Sequence, residues 1–231
     1  MQYRGGKSRL ARQILPFMPD VEYFVEPFVG GGGMTRFAVQ SGKFSKFLCS
    51  DINEYVIAYF NAIKSGWMPK ERYTREEFLE MKRHQKEGNF DTYSKAEMCT
   101  VGYSCAFLSK FFTTFCDAPN AGTYPMIGAR KDALWAPQCD FSVCSYDSIT
   151  LPEKPCVVYL DPPYKGVQGY PSGKFDHDKF YQWAEKISEN HYVFVSEENM
   201  PEGWKVLWRR ELRADGGIAR SRIEKLFIYN D

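Results

Sequence analysis

The stretch that decides the fold is residues 22–33, EYFVEPFVGGGG, in which a short apolar run leads directly into four glycines. The apolar run predicts a buried strand, and the segment MTRFAVQSG after the glycines predicts a helix that ends at Gly42. A second short strand then ends at Asp51, and residues 53–64 have helical periodicity. This strand–helix–strand–helix order is typical of an α/β fold with a parallel sheet.

The same alternation resumes further along the chain. Residues 156–160, CVVYL, predict a buried strand, residues 177–189 a helix, and residues 192–195 another strand. Two strand-like runs, 204–208 and 223–229, follow. The intervening part of the chain is turn-rich, with helices predicted at 74–87 and 94–108 and no clear period over 109–131. We therefore expect a second subdomain inserted into the α/β core.

The N-terminal region also predicts a helix. Over residues 7–17, Leu10, Ile14 and Phe17 share one face at helical spacing, and Ser8 is a suitable N-cap.

Composition limits the class of protein. The chain has 231 residues, with 30 basic and 29 acidic side chains, and is long enough to bury a core without disulfides or a structural metal. The near-neutral charge argues against a histone-like nucleic-acid binder but allows a local basic groove. Residues 205–225 hold seven basic and three acidic side chains, which predicts either a solvated face or an edge that faces phosphates.

Membrane, secretory and metal-binding classes are disfavoured. No apolar run approaches the roughly 18 residues of a membrane span, and the basic N-terminus lacks the apolar segment of a secretory signal. The seven cysteines form no CxxC pair, and the three histidines lie far from them in sequence. We therefore expect a cytoplasmic protein with reduced thiols, no membrane contact and no metal site.

The glycine run indicates a ligand site rather than a familiar phosphate motif. Residues 4–8 end like a P-loop but lack its first glycine and its preceding strand, and the run from Gly30 does not fit G-x-G-x-x-G. Glycines after a strand still allow close approach of a ligand to the backbone. Asp51 follows about 20 residues later, where an acid can accept hydrogen bonds from ribose hydroxyls. The pattern predicts a nucleoside-bearing cofactor.

The segment Asp161-Pro162-Pro163-Tyr164 directly follows the strand at 156–160. Two prolines cannot continue a central strand, so they stiffen a loop and leave its carbonyls free to accept hydrogen bonds. A carboxylate, a fixed carbonyl and an aromatic ring on one loop suit a flat heterocycle with an exocyclic amine. The ring would stack on Tyr164, and the amine would donate to Asp161 and to the Pro162 carbonyl.

The ordered set of motifs resembles the DNA adenine methyltransferases of the Dam type, which carry a DPPY motif. The segments that carry the resemblance are Tyr3–Lys7, Phe24–Gly32, Ser50–Asn53, Ser145–Tyr146, Asp161–Tyr164 and Arg222–Asn230. The resemblance implies an α/β, Rossmann-like methyltransferase fold with a mixed seven-stranded sheet. It also implies a catalytic core of residues 1–66 and 140–231, with residues 67–139 as an inserted, mainly helical target-recognition domain.

The resemblance further implies S-adenosylmethionine as methyl donor and assigns roles by position. The catalytic segment is Asp161, Pro162, Pro163 and Tyr164. The cofactor would be held by Tyr3, Gly5, Lys7, Glu26, Pro27, Phe28, Gly30, Gly31, Asp51, Tyr146 and Asp161. The DNA-binding candidates are Tyr103, Ser104, Lys110, Asn120, Pro125, Arg130, Lys131, Arg213 and Arg222. The expected partner is double-stranded DNA, and the expected state in solution is a monomer.

The expected reaction is methylation of the 6-amino group of adenine after the base is flipped out of the duplex. Three alternatives stay open. The first is a cytosine 4-amino methyltransferase of the same fold, which Asp161 disfavours because such enzymes more often carry serine there. The second is methylation of RNA or a free base. The third is a DNA-binding relative without catalytic activity. The sequence leaves open the recognition sequence, GATC or another, and any role in restriction–modification.

Overall fold

The computed structural model describes residues 1–3, 5–164, 175–212 and 222–229. Within these residues, seven strands form one mixed sheet. The strands are β1 (Tyr23–Glu26), β2 (Lys46–Asp51), β3 (Cys139–Val143), β4 (Val157–Leu160), β5 (Tyr192–Glu197), β6 (Trp204–Leu212) and β7 (Arg222–Tyr229). The α-helices are α1 (Ala11–Ile14), α2 (Gly33–Ser41), α3 (Glu54–Lys64), α4 (Arg75–Glu87), α5 (Lys95–Ser104), α6 (Tyr124–Asp132) and α7 (His177–Ser188).

The strand order of the sheet is β3-β2-β1-β4-β5-β7-β6. The first five strands in this order pair in parallel, β7 is antiparallel to β5, and β6 is antiparallel to β7. The prediction of a mixed seven-stranded sheet with the Rossmann-like methyltransferase fold is therefore confirmed. Because β1, β2 and β4 are parallel neighbours, their carboxyl ends share one edge of the sheet. Glu26, Asp51 and Asp161 lie at or just beyond these ends.

The core lies on both faces of the sheet. On β1, Phe24 belongs to the apolar cluster that contains Val56 and Phe60 of α3, whereas its neighbour Val25 belongs to the cluster that contains Phe180 of α7. Successive side chains of a strand point to opposite faces, so a short strand with apolar residues at both positions is buried between two layers of helices. This layering places the loops after the strands at one edge, where they form the site.

Most predicted elements agree with the structure, and the differences lie at the N-terminus, at β3 and in the segment of α5 and α6. The helix predicted over 7–17 is wrong: the segment is broken into 3-10 turns at Lys7–Arg9 and Leu15–Phe17 around the short α1. Pro16 has no backbone N–H and cannot continue an α-helical ladder, and Phe17 is 42% exposed. Strand β3 was not predicted, because CDFSV is short and buries only two of its five side chains.

The segment between β2 and β3 is mainly helical and has a small apolar core of its own. Helices α4 and α5 enclose a cluster that includes Phe78, Met81 and Met98. Helix α5 ends at Ser104, earlier than predicted, and α6 lies in the segment predicted as irregular, where Pro125 and Gly128 obscure its helical pattern. Cys99 of α5 belongs to the main core, so this segment packs firmly against the sheet domain.

Within the described ranges, no helix combines the length and apolar character needed to cross a bilayer. In that same part of the chain, the His, Cys, Asp and Glu side chains form no group of three or more with an arrangement that could hold a metal ion.

Candidate active site

A cavity of about 280 Å³ lies at the carboxyl edge of the sheet. It is lined by the N-terminal segment, the glycine loop after β1, and the loops after β2, β3 and β4. Every residue that the resemblance assigned to the cofactor or to catalysis lines it: Tyr3, Gly5, Lys7, Glu26, Pro27, Phe28, Gly30, Gly31, Asp51, Tyr146, Asp161, Pro162, Pro163 and Tyr164. Residues far apart in sequence thus share one site.

Asp51 is held in a fixed orientation by the backbone. Its Oδ2 accepts a hydrogen bond from the Gly30 N–H and its Oδ1 accepts one from the Asn53 N–H, each at 2.9 Å. Burial raises the pKa of the Asp51 carboxyl, and these backbone donors oppose that shift by favouring the charged form. Each carboxylate oxygen has two lone pairs, so Asp51 keeps acceptor capacity for hydroxyl groups of a ligand in the cavity.

The glycine loop packs closely against Tyr3 of the N-terminal segment. Gly30 has a φ of +46°, a conformation that other residues rarely adopt. A Cβ added at Gly31 would lie 2.5 Å from Cβ of Tyr3. Larger residues at either position would therefore displace the loop or Tyr3 from the cavity that both line.

Aromatic rings form the part of the cavity near the loop after β3. The rings of Phe28 and Tyr146 have centroids 5.5 Å apart and are inclined by 25°. Phe180 of α7 lies edge-on to both. This apolar surface, next to the carboxylate of Asp51, suits a ligand that combines a flat ring with hydroxyl groups.

Glu26 is a buried acid at the end of β1. It accepts hydrogen bonds from the backbone N–H of Thr35, at 2.9 Å, and from the Thr35 hydroxyl. Burial raises the pKa of Glu26 well above its usual value, with Cys49 adding to the shift and Thr35 opposing it. Thr35 lies in the first turn of α2, so these bonds tie the end of β1 to the start of the helix beyond the glycines.

Lys7 connects the N-terminal segment to the loop after β4. Its ammonium lies 2.7 Å from Oδ1 of Asp161, 2.6 Å from the Tyr164 hydroxyl and 3.2 Å from Oε1 of Glu224. The Tyr164 hydroxyl in turn donates to Glu224 at 2.5 Å. Burial alone would lower the pKa of the Lys7 ammonium, but the carboxylates of Asp161 and Glu224 outweigh burial and leave it raised.

Tyr164 is buried, with 8% of its surface exposed, yet it lines the cavity. Lys7 lies nearer to its hydroxyl, at 2.6 Å, than to its ring centroid, at 4.9 Å. The ammonium is therefore at the hydroxyl end of the ring and does not cover a face.

Sequence reasoning missed several members of the site. Glu224 was not identified, although a lone acid in the apolar strand run at 223–229 is a signal of a buried polar contact. Asp147 and Lys179 also line the cavity and form an ion pair at 2.5 Å, which ties the loop after β3 to α7. No motif marked this pair, because its members come from separate elements.

Three predicted DNA contacts lie inside the protein. Tyr103, Ser104 and Pro125 are buried. Tyr103 packs against Tyr3, with centroids 4.8 Å apart, and its hydroxyl accepts a hydrogen bond from Asn53. A buried side chain offers little surface to a base or a phosphate, so these three are not placed for direct DNA contact in this structure. Tyr103 instead supports the cavity from behind Tyr3.

The other predicted DNA contacts differ in position. Lys110, Asn120, Arg130 and Lys131 are exposed. Lys131 lines a small cleft of about 170 Å³ that also includes Gly31, next to the main cavity. Arg213 lies outside the described residues. Arg222 begins β7, but its side chain lies outside the described part of the structure.

The chain is similar in sequence to known DNA methyltransferases. A family model described as D12 class N6 adenine-specific DNA methyltransferase matches residues 3–197. A DNA adenine methylase of Salmonella typhi is 26% identical over 182 residues, which cover 71% of this chain and 64% of that protein. The chain thus spans less than two thirds of the length of this relative. A DNA adenine methylase of Escherichia coli K12 is 23% identical and matches over 99% of this chain and 94% of its own length.

Among solved structures, a 23S rRNA methyltransferase, ErmE, is similar, with a TM-score of 0.46 and 9% identity. The match covers 100% of this chain and 70% of that one.

Proposed function

Because the chain belongs to the family of D12 class N6 adenine-specific DNA methyltransferases, we propose that it transfers a methyl group from S-adenosylmethionine to the 6-amino group of adenine in duplex DNA. One observation carries the proposal: Asp161, Pro162 and Tyr164 line the same cavity as the glycine loop and Asp51. A site for an amine-bearing ring thus adjoins a site for a nucleoside.

The donor set fits S-adenosylmethionine. Asp51 would accept hydrogen bonds from the ribose hydroxyls, and Phe28 and Tyr146 would contact the adenine ring of the cofactor. Gly30 and Gly31 would allow its chain to approach the backbone closely. When bound, the cofactor supplies an electrophilic methyl group on a sulfonium.

The amine of adenine is a poor nucleophile because its lone pair is delocalised into the ring. Hydrogen bonds from its two protons to the Asp161 carboxylate and the Pro162 carbonyl would favour a tetrahedral nitrogen and localise the lone pair. The lone pair would then accept the methyl group that the sulfonium supplies, with the thioether sulfur as leaving group, and the proton released from the nitrogen would pass to water. Asp161 offsets the positive charge that develops on nitrogen, so positioning and electrostatics supply most of the acceleration.

The reaction requires the target base to leave the duplex. Extrusion costs a few kcal/mol, and stacking on an aromatic ring recovers part of it. Tyr164 is the aromatic ring next to Asp161, and Lys7 contacts it at the hydroxyl end. We therefore propose that a face of Tyr164 receives the flipped adenine.

We propose that residues 67–139 recognise the DNA sequence and that residues 1–66 and 140–231 form the catalytic core. Support comes from the separate apolar core around Phe78 and Met81 and from the exposed polar side chains of Lys110, Asn120, Arg130 and Lys131. Arginine and lysine pair best with guanine in the major groove, and asparagine with adenine. We further propose that the protein acts in the cytoplasm.

Expression of the gene in a host free of DNA methylation, followed by methylation-sensitive sequencing, tests the proposal. We expect N6-methyladenine within one short sequence, which also gives the recognition site. N4-methylcytosine, methylated RNA without methylated DNA, or no methylation at all would contradict the proposed reaction.

A further inference from the structure

Glu224 is a completely buried acid on β7, at 0% exposure, and the resemblance assigned it no role. A buried carboxylate is costly unless it is paired and hydrogen-bonded. Glu224 has two such partners in the cavity wall, the ammonium of Lys7 at 3.2 Å and the hydroxyl of Tyr164 at 2.5 Å. Tyr164 belongs to the catalytic segment, and Lys7 contacts Asp161 and Tyr164 within it, so Glu224 is linked to this segment through both partners.

The hydrogen-bonding capacity of Lys7 is used within this network. An ammonium has three N–H donors and no acceptor. Oxygens of Asp161, Tyr164 and Glu224 lie at 2.7, 2.6 and 3.2 Å from its nitrogen, which accounts for all three donors. In this arrangement Lys7 contacts the Asp161–Tyr164 loop from within the cavity that it lines.

The surroundings of Asp161 are rich in acids. Glu26 of β1, Tyr159 of β4, Glu197 of β5 and Glu224 of β7 all face this region, and each of the first three has its pKa raised mainly by burial, with Asp161 adding to the shift. The pKa of Glu197 rises to about 8. Lys7 forms ion pairs with two of these acids, Asp161 and Glu224. The position of its charge therefore matters to Asp161.

We propose that Glu224 is a positioning residue for methyl transfer: it holds the Lys7 ammonium and the Tyr164 hydroxyl, and so presents the Asp161 carboxylate and the Tyr164 ring to the target base in a fixed arrangement. This inference rests on the proposed function. Glu224 touches neither of the reacting groups; it acts through Lys7 and Tyr164.

Glu224→Gln separates charge from shape. The amide keeps the size of the side chain and can still accept a hydrogen bond, but it no longer balances the ammonium. The carboxylates of Asp161 and Glu224 raise the pKa of Lys7 against the effect of burial, so removing one of them lowers it. Lys7 then loses its proton at a lower pH than in the wild type, and the contacts to Asp161 and Tyr164 weaken on the alkaline side.

Two measurements test the proposed role of Glu224. The first is a titration of the ¹⁵Nζ resonance of Lys7, which needs no activity; we expect its transition at lower pH in Glu224→Gln. The second is single-turnover methylation of duplex DNA. We expect a rate reduced about 10- to 100-fold, as small misplacements of reacting groups cause, with KM for DNA nearly unchanged and an additional loss at alkaline pH. Glu54→Gln, which removes an exposed acid 2.7 Å from Lys95, is the matched control.

A second variant guards against failure of Glu224→Gln to fold. Tyr164→Phe removes the Tyr164–Glu224 contact without altering β7, and we expect this variant alone to lower the single-turnover rate. Where Glu224→Gln folds, we expect the double variant to be no slower than the slower single variant, because coupled residues are not additive. Additive losses, or a Lys7 titration and pH profile in Glu224→Gln equal to those of Glu54→Gln, would overturn the proposal. A wild-type protein that methylates no DNA, with the Lys7 titration still shifted in Glu224→Gln, would contradict the proposed function but support the coupling.

Discussion

Two aspartates in the cavity differ in their partners, and this difference separates their proposed roles. Asp51 is held by backbone N–H groups of the glycine loop and of Asn53, whereas Asp161 is paired with the side chain of Lys7. A carboxylate fixed by the backbone is suited to bind a ligand that stays in place. A carboxylate held by a buried ammonium is suited to present an oxygen to the target amine.

At Asp51 we predict a binding defect. Asp51→Asn keeps the size of the side chain but removes the charge and one acceptor, and hydrogen bonds to charged groups contribute about 1.5–3 kcal/mol. We expect affinity for S-adenosylmethionine, measured by titration calorimetry, to fall about 10- to 100-fold. Asp140→Asn, at an exposed acid paired with Lys64, is the control. Unchanged affinity in Asp51→Asn would remove this residue from the cofactor site.

At Tyr164 we predict a loss in turnover. Removing a stacking aromatic ring costs about 1–3 kcal/mol per base, so Tyr164→Ala should slow incorporation of tritiated methyl into duplex DNA by about one to two decades. Tyr192→Ala, at a tyrosine that is 43% exposed at the start of β5, should leave the rate unchanged. Equal rates for the two variants would contradict stacking on Tyr164.

At this scale, sequence predicted the residues of the motifs but not how they interact. The cavity lining was implied by the resemblance, and the motifs after β1, β2 and β4 come together because parallel strands end at one edge of the sheet. The Lys7–Glu224 contact could not be predicted, because it joins the first turn of the chain to the seventh strand and depends on the antiparallel pairing of β7 with β5. Burial of Tyr103 was also hidden, since an aromatic residue in a loose motif predicts surface and core equally well.

The glycine loop is the element on which cofactor access depends. Gly31→Ala would place a Cβ 2.5 Å from Cβ of Tyr3, and overpacking of this kind costs about 1–3 kcal/mol. We expect a lower melting temperature together with weaker binding of S-adenosylmethionine. Gly42→Ala, where φ is +72° and no atom lies within 4 Å, should lower stability but leave cofactor affinity intact. Full cofactor affinity in Gly31→Ala would show that this close contact does not shape the cavity.

Helix α4 provides a test of stability that is separate from the site. Thr74 and Glu77 form a capping box, in which each side chain accepts a hydrogen bond from the backbone N–H of the other residue. Thr74→Ala should reduce the free energy of unfolding, measured with urea, by about 1 kcal/mol. Methyl transfer should stay normal, because α4 contributes no residue to the cavity lining. A wild-type unfolding curve would mean that the cap contributes nothing.

The elements that sequence predicted well have strong local signals. Helix α4 has its cap and α2 ends at a left-handed Gly42, so both have clear ends. The prediction of a single N-terminal helix was wrong because it used apolar spacing alone and ignored the effect of Pro16 on the backbone hydrogen bonds. Strand β3 was missed because it is defined by its pairing with β2 and its composition carries no strand signal.

At the scale of the whole molecule, the alternation of strands and helices predicted an α/β fold with a parallel sheet, and the resemblance implied its mixed, seven-stranded form. The net charge of +1 was less informative. This net charge sums over buried acids near Asp161, such as Glu197 and Glu224, and exposed basic residues such as Lys110 and Lys131. A chain near neutrality can therefore carry a DNA-binding surface without showing it in its composition.

The most direct test of the account combines product identity with one substitution. Duplex DNA is incubated with labelled S-adenosylmethionine and the wild type, Asp161→Ala or Asp140→Ala, and the digested nucleosides are analysed by mass spectrometry. We expect labelled N6-methyladenine with the wild type and with Asp140→Ala, and none with Asp161→Ala. Labelled N4-methylcytosine, or N6-methyladenine formed by Asp161→Ala at the wild-type rate, would contradict the account.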